Sequence, residues 1–444
     1  MQRERHLETF GLYIQEVEGC GRGVFARRDF EVGEIVLKEK ALISLDLNKK
    51  LARFQEPPDA KVPEEKKDNF RIFVNYMKKL ETFLMASSSQ QESMLDCYCG
   101  DDLEATDPLV TRARSVVNFC SARESICKNQ DLRRMCRGIL AFDLNSWGVT
   151  DSETKCLSEL SIFDIGSKIN HSCLANTATD GAGTHRALRR ISKGTQITTD
   201  YLGQHVPKAT HLRRMELWRD KRFWCRCELC SSRYDKRRRL PCPNCKGGTI
   251  LPQGSFDSIA LFPNEEKVKL SFRHAPPLPL SVVKSFKGIS WTCKTCKKEF
   301  ENSSSKIFTN SIKGIPSFRL ETHLESKIEQ IWFRGGEITT IEQLLNLCTT
   351  CLGTHHWIQR WCLHAYIRVS LLNSSTSSNS ILTKKTDRLL DELLRWYKEQ
   401  CGEQTAVYCL QSCMTLLSKH YIDLGDFEKG RCWYIHSLPY GRVI

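Results

Sequence analysis

The sequence contains no uninterrupted apolar run of the roughly 18 residues that a membrane-spanning helix needs. Its first residues, Met1-Gln2-Arg3-Glu4-Arg5-His6, are charged where a secretory leader would place an apolar core. The expectation is a cytoplasmic or nuclear protein that engages no membrane. Glycine (25) and proline (14) are too sparse for a collagen-like chain, and 40% hydrophobic with 27% charged residues excludes a wholly disordered one. Acidic residues are the minority: 66 Lys and Arg against 52 Asp and Glu leave a formal net charge of +14. That balance suits an acidic partner, but solubility explains it equally well. What is abundant is cysteine, 22 in 444 residues, which in an intracellular chain suggests metal ligands and buried thiols before disulfides.

The length allows two to four compact units at roughly 100–200 residues each. From Leu12 to Ile43 apolar and polar residues alternate around Gly21-Arg22-Gly23 and Gly33, which predicts two or three short strands. Residues 45–129 read as a largely helical insertion, with Phe73, Tyr76, Met77, Leu80 and Leu84 at helical spacing and the tract Ser87 to Gln91 ending that helix. A core strand pattern resumes at Gly138-Ile139-Leu140-Ala141-Phe142 and continues to about Tyr201. Beyond about residue 320 the apolar spacing is helical again, and Trp357, Trp361, Trp396 and Tyr397 read as helix-packing residues. Asn373 to Ser380 reads as a flexible loop. The stretch Leu424 to Gly430 resembles the turn of a tetratricopeptide repeat, although no 34-residue period is present.

Cys242-x2-Cys245 and Cys293-x2-Cys296 are two matched thiolate pairs with 47 residues between them. Each tight knuckle can bite one zinc ion, and four thiolates close a tetrahedral structural site. Pro241, Pro243, Gly247, Gly248 and Trp291 around them predict a zinc ribbon built on hairpins. Cys225-x-Cys227-x2-Cys230 offers only three thiolates, so a closed site needs a fourth ligand from elsewhere. Lys236-Arg237-Arg238-Arg239 reads as a solvated linker between the two cysteine modules, ahead of an import signal or a phosphate patch.

Asn170-His171-Ser172-Cys173, with Gly21-Arg22-Gly23 before it and Gly194-Thr195-Gln196-Ile197-Thr198-Thr199-Asp200-Tyr201 and Cys225 to Cys230 after it, resembles the SET-domain protein methyltransferases. The resemblance is nearest to the SET-and-MYND (SMYD) family. The insertion holds only Cys97, Cys99, Cys120 and Cys127 at irregular intervals, so the MYND finger is expected to be absent or degenerate, as in an arthropod SMYD-A-like branch. The resemblance implies an α+β chain: an N-terminal SET part (10–44), the helical insertion (45–129), core SET (130–222), a post-SET zinc segment (223–240), the zinc ribbon (241–300) and a helical, tetratricopeptide-like C-terminal domain (301–444). It also supplies Cys173 as the fourth ligand of the post-SET zinc, giving two structural zinc ions in all.

The implied cofactor is S-adenosyl-L-methionine, held by Gly21, Arg22, Gly23, Asn145, Asn170, His171, Tyr201 and Phe223, with Phe223 near the adenine. Tyr201 is the implied catalytic tyrosine, its hydroxyl facing a lysine channel; the competing reading is a strand tyrosine with a satisfied hydroxyl. His171 has its own alternative, a core histidine that fixes the loop. The implied activity is methyl transfer to a protein lysine, with histone a candidate substrate and the helical domain a site for protein partners. Gly194-Thr195-Gln196 replaces the family's usual Gly-Glu-Glu, which keeps open a catalytically silent SET and zinc scaffold for transcriptional regulation. A nucleic-acid-binding zinc protein ranks last, because neither knuckle is followed by the helix of a base-reading finger.

Overall fold

The computed structural model describes residues 2–55, 67–150, 157–202, 208–242, 244–245, 247–253, 290–301, 317–373 and 380–437. The stretch 374–379 of the expected flexible loop, Pro243 of the first knuckle and residues 302–316 of the expected C-terminal domain lie outside them. Two compact units emerge: one comprises the described residues up to Tyr201 with Glu216–Trp224, the other Leu202–Met215 with the described residues from Cys225 onward. Among the described residues no helix is long and apolar enough to cross a membrane.

In the first unit α1 (Gln2–Phe10) leads into the antiparallel hairpin of β1 (Leu12–Val17) and β2 (Gly21–Ala26). The chain reverses there through Gly19 and Gly21, at φ of +69° and +67°, a region that penalises a Cβ. Alternation does what the sequence predicts, turning Leu12, Val24 and Ala26 into a core with Phe30, Val36 and Ile197. Strand β3 (Ile35–Lys38) pairs with β9 (Thr184–Ala187), itself paired with β8 (Thr177–Thr179). Strand β4 (Ile43–Asp46) pairs with β6 (Leu157–Ile162), which also takes β5 (Trp147–Thr150). The short strands β7 (Asn170–His171) and β10 (Thr198–Thr199) run parallel and bring two distant motifs side by side.

Helices α2 (Lys67–Met85), α3 (Ser88–Leu95), α4 (Pro108–Ser121) and α5 (Leu132–Asn145) fill the interval between β4 and β5. The polar tract after α2 starts a helix as well as ending one: Ser87 and Gln90 form a reciprocal capping box on α3. Gly138 to Phe142 is helical, which corrects the expected strand. Asp131 caps the start of α5 by accepting from Arg133 N, and Met135, Ile139 and Phe142 then repeat at helical spacing. Gly138 permits a close crossing, since a Cβ there would stand 2.4 Å from the Phe83 ring on α2. Farther on, the chain forms α6 (Thr210–Lys221).

In the second unit β11 (Leu240–Pro241), β12 (Thr249–Gln253), β13 (Ser290–Cys293) and β14 (Glu299–Glu301) make a four-stranded antiparallel sheet. Among the described residues six helices follow: α7 (Ser317–Arg334), α8 (Ile338–Leu352), α9 (Trp357–Asn373), α10 (Ser380–Cys401), α11 (Glu403–Asp423) and α12 (Phe427–Ser437). From α8 onward each packs on the next. Gly425, at φ +81°, turns the chain between the last two. Trp357, Trp361, Trp396 and Tyr397 are all buried in this helical core.

The basic run is not a solvated linker. Arg237 and Arg238 are 3% and 1% exposed. The Arg238 guanidinium lies 5.1 Å from the Trp291 ring centre, and Arg237 donates to the Gln400 carbonyl at 3.0 Å. Arginine tolerates this because its planar head stacks on aromatics and serves main-chain carbonyls while its stem packs as hydrocarbon. Two of the four side chains are therefore unavailable to an import receptor or a phosphate.

Candidate functional site

The site grows from the turn that opens β2. Asn170 Nδ2 donates to the Arg22 carbonyl at 3.2 Å, which joins the Gly21-Arg22-Gly23 turn to β7. A Cβ on Gly23 would stand 2.5 Å from Gln196 Nε2 and 3.1 Å from Asn170 Nδ2, so any side chain here would have to displace the Gln196 amide. Gln196 Nε2 is buried and has no hydrogen-bond partner among the described residues. A buried orphan donor is costly, and a polar ligand in the cradle would relieve it. The Arg22 guanidinium turns away: Nη1 bonds Asp96 Oδ1 at 2.8 Å, and its other amine donates to the Asp96 carbonyl. Arg3 and Lys168 approach the same carboxylate at 2.9 and 3.4 Å. Burial pushes the Asp96 carboxyl up, but Arg22, Lys168 and Arg3 outweigh it and hold it below the usual carboxylate range.

His171 is locked in place, its side chain 1% exposed. The Tyr201 N–H donates to Nδ1 at 3.1 Å, and because an N–H can only donate, Nδ1 must carry a lone pair. The ring hydrogen then sits on Nε2, 3.2 Å from Cys173 Sγ. Both ring nitrogens of His171 thus face groups of its own neighbourhood, Tyr201 N and Cys173 Sγ. Tyr201 stands in the turn after β10, and its hydroxyl donates to the Ile169 carbonyl at 2.6 Å. That corrects the expectation of a hydroxyl simply facing a channel: its hydrogen is committed, and only its lone pairs remain. Burial, with a smaller contribution from Cys20, raises the hydroxyl's pKa well above normal, so it stays protonated.

Three rings wall the site. Trp147 and Phe223 meet Tyr201 edge-on, with centres at 5.7 and 6.2 Å, and Phe223 lies 5.9 Å from His171. Phe223 is aimed by its neighbour Arg222, which leaves α6 at φ +62° and binds Asp107 through two bonds of 2.9 and 3.1 Å. Asn145, the last residue of α5, spends its amide on the Ala141 and Tyr98 carbonyls at 2.9 and 2.7 Å. It still helps line a cavity of about 130 Å³ with Trp147, Tyr201 and Lys221. The cofactor and catalytic candidates Gly21, Arg22, Gly23, Asn145, Asn170, His171, Tyr201 and Phe223 all lie in the first unit, while the cysteine candidates from Cys225 onward lie in the second. Gln196, Trp147, Lys221, Asp96 and Asp107 were not among the candidates. Gln196 could have been found, since it departs from its motif; the rest lie in helices and turns with no pattern of their own.

In the second unit the sulfurs of Cys242, Cys245, Cys293 and Cys296 all lie within 4.8 Å of one another and could hold zinc; Cys225, Cys227 and Cys230 belong to the same unit and Cys173 to the first. In the ribbon, main-chain N–H groups of Asn244 and Cys296 point at Cys242 and Cys293 sulfurs at 3.3 and 3.4 Å, the usual way a knuckle supports thiolates. A main-chain bond from Lys298 is the main pull on Cys296, which falls to about 6; burial and the neighbouring sulfurs push Cys245 up to about 12. A cation would reconcile four such sulfurs. The insertion's thiols are different. Burial pushes Cys99 and Cys120 up to about 12 and Cys127 to about 11, and none joins a ligand group among the described residues.

Residues 21–202 match the sequence profile of the SET domain. This segment is a SET domain. Histone-lysine N-methyltransferase ASHR1 of Arabidopsis thaliana is 22% identical over 279 residues, 52% of this chain and 57% of that protein. Histone-lysine N-methyltransferase ATXR2 of the same plant is 32% identical over 87 residues, 18% of each. The chain thus spans little more than half the length of the first relative and less of the second. Among solved structures, the SET domain of LSMT bound to lysine and AdoHcy is 13% identical with a TM-score of 0.26, covering 98% of this chain and 89% of that one, a score too low to fix a shared arrangement. Within the SET segment lie the cradle glycines, Asn170, His171 and Tyr201, while Phe223 and Lys221 come after it.

Proposed function

We propose that the chain is an S-adenosylmethionine-dependent protein-lysine methyltransferase. The observation that carries this reading is the meeting of the Gly23 cradle, Asn170 and the orphan Gln196 amide in the unit that also holds Tyr201. The cradle suits the polar amino-acid end of the cofactor, which when bound supplies an electrophilic methyl group. Gly23 and Asn170 hold that end, and Gln196 offers it a donor. Trp147, Tyr201 and Phe223 exclude water from the acceptor amine, and loss of water favours the neutral amine that the transfer needs. The lone pairs of Tyr201, fixed because its hydrogen points at Ile169, accept from the amine and orient it; positioning of this kind is a large part of catalysis.

Finer points belong to the same proposal. Zinc ions on Cys173, Cys225, Cys227 and Cys230 and on the four ribbon cysteines would close the two thiol groups. The buried, ungrouped thiols of the insertion support a SMYD-like branch without a MYND finger. Histone is the first substrate to test, on the names of the plant relatives, and the α8–α12 array is the surface for protein partners, in the cytoplasm or nucleus. A silent scaffold is the second reading, favoured by Gln196 where the motif usually carries glutamate. Calorimetric titration of zinc-replete protein with S-adenosylmethionine separates them. Binding, followed by methyl incorporation into histone or mixed proteins, supports the enzyme; no binding by folded protein leaves the scaffold.

A further inference from the structure

We propose that Lys221 is an internal methyl acceptor: the last residue of α6 brings its own amine to the tyrosine of the site, and the chain methylates itself there. The inference rests on the methyltransferase reading and adds a substrate to it. Lys221 Nζ lies 5.9 Å from the centre of the Tyr201 ring and donates to the Leu144 carbonyl at 3.2 Å. It lines the same cavity of about 130 Å³ as Asn145, Trp147 and Tyr201. A lysine at a helix end ordinarily extends into water, as Arg219 does two residues earlier in pairing with Asp220 on the surface. Lys221 instead points its amine inward, among the aromatic groups that an acceptor lysine would meet.

The charges around it leave the amine weakly held. Asp143, the carboxylate that would pair with it, is bonded to the buried Lys79 amine. Burial pulls Lys221 down to about 8, against the upward pull of Asp143 and Asp220 and with a further downward push from Lys79. That shift favours the neutral amine, the form that has the lone pair for transfer. A four-carbon stem with a main-chain carbonyl as its anchor can swing to meet an electrophile. In the transfer the Lys221 nitrogen forms a bond to the sulfonium methyl carbon as the carbon–sulfur bond breaks. The bonding pair stays on sulfur, giving S-adenosylhomocysteine, and the methylated ammonium loses its proton to water.

The test incubates the full-length, zinc-replete protein with methyl-labelled S-adenosylmethionine and maps the label by peptide mass spectrometry across a protein dilution series. The expected result is label on the Lys221 peptide at a rate per chain that does not change with dilution, as an internal reaction requires. Tyr201→Phe should reduce that label toward background, and Lys221→Arg should remove it. Histone and mixed proteins are assayed alongside. Cofactor binding and labelling of added proteins with an unlabelled Lys221 overturns the internal acceptor and leaves the methyltransferase standing. A rate per chain that rises with concentration also overturns it, because the acceptor would then be another copy. No cofactor binding overturns both.

Discussion

The Tyr201 main-chain N–H donates to Nδ1 of His171 at 3.1 Å, so the implied catalytic tyrosine is held by the histidine of the neighbouring strand. Removing that acceptor leaves the N–H unpaired in a site walled by aromatic rings, at a cost of about 1–3 kcal/mol. His171→Ala should therefore lower stability by that much and reduce turnover as Tyr201 loses its position. His171→Asn offers a carbonyl oxygen close to where Nδ1 stood, and should recover part of the loss. Urea unfolding of both variants checks this, and equal midpoints for the two would show that the bond carries little.

Asp107 does two jobs with one carboxylate. It caps α4 by accepting from Leu109 N at 2.8 Å and takes two bonds from Arg222, whose side chain is 0% exposed. Asp107→Ala strands that guanidinium, and breaking a buried pair from one side costs about 3–5 kcal/mol. Asp107→Asn keeps an oxygen for the cap and should fall between alanine and wild type. Thermal unfolding gives the ranking, and any weakened cofactor affinity in Asp107→Asn would trace to Phe223, the residue that Arg222 aims.

The motifs were legible in the sequence because they are short and locally determined. A Gly-Arg-Gly turn, an Asn-His-Ser-Cys string and two Cys-x2-Cys knuckles carry their chemistry within a few residues. Their neighbours were not legible, because they depend on tertiary contact. Asp96 sits in the insertion and meets Arg22 across 74 positions; Arg222 meets Asp107 across 115. Burial was misjudged for Arg237 and Arg238, since a charge run signals exposure unless aromatic faces and carbonyls are waiting for it. Gly138 to Phe142 misled for a simpler reason. Five mostly apolar residues fit a strand or a buried helix equally, and the decision came from the Asp131 cap upstream and the Phe83 ring packed against Gly138.

Gly248 tests the ribbon. A Cβ there would lie 2.4 Å from Cys245 Sγ and 3.0 Å from Cys293 Sγ, and sulfurs bound to a metal cannot retreat. The Gly248 carbonyl also accepts from Cys242 N at 2.8 Å, so the main chain is not free to shift either. Gly248→Ala should lower zinc content by one ion per chain, measured by atomic emission. A zinc on the proposed set of Cys173, Cys225, Cys227 and Cys230, which shares no residue with the ribbon, should persist. An unchanged metal content would mean that the four sulfurs keep their ion with a Cβ at position 248.

Tyr201→Phe separates enzyme from scaffold, because it removes one oxygen and keeps the ring that Trp147 and Phe223 touch. The oxygen has two duties in this structure. Its hydrogen serves the Ile169 carbonyl, and losing a single such bond costs about 0.5–1.5 kcal/mol, so a modest drop in thermal stability is expected. Its lone pairs are the orienting group for the acceptor amine, and deleting one preorganised interaction of that kind typically lowers turnover ~10²–10³-fold. Cofactor affinity should change little, since Gly23, Asn170 and Gln196 are untouched. Methyl incorporation into histone and mixed proteins, wild type beside variant, reads the rate, with calorimetry for the cofactor and a melting curve for the fold. A variant as active as wild type would show that Tyr201 is only a packed ring with a satisfied hydroxyl. A large loss of activity with cofactor binding intact would place the chemistry at its oxygen.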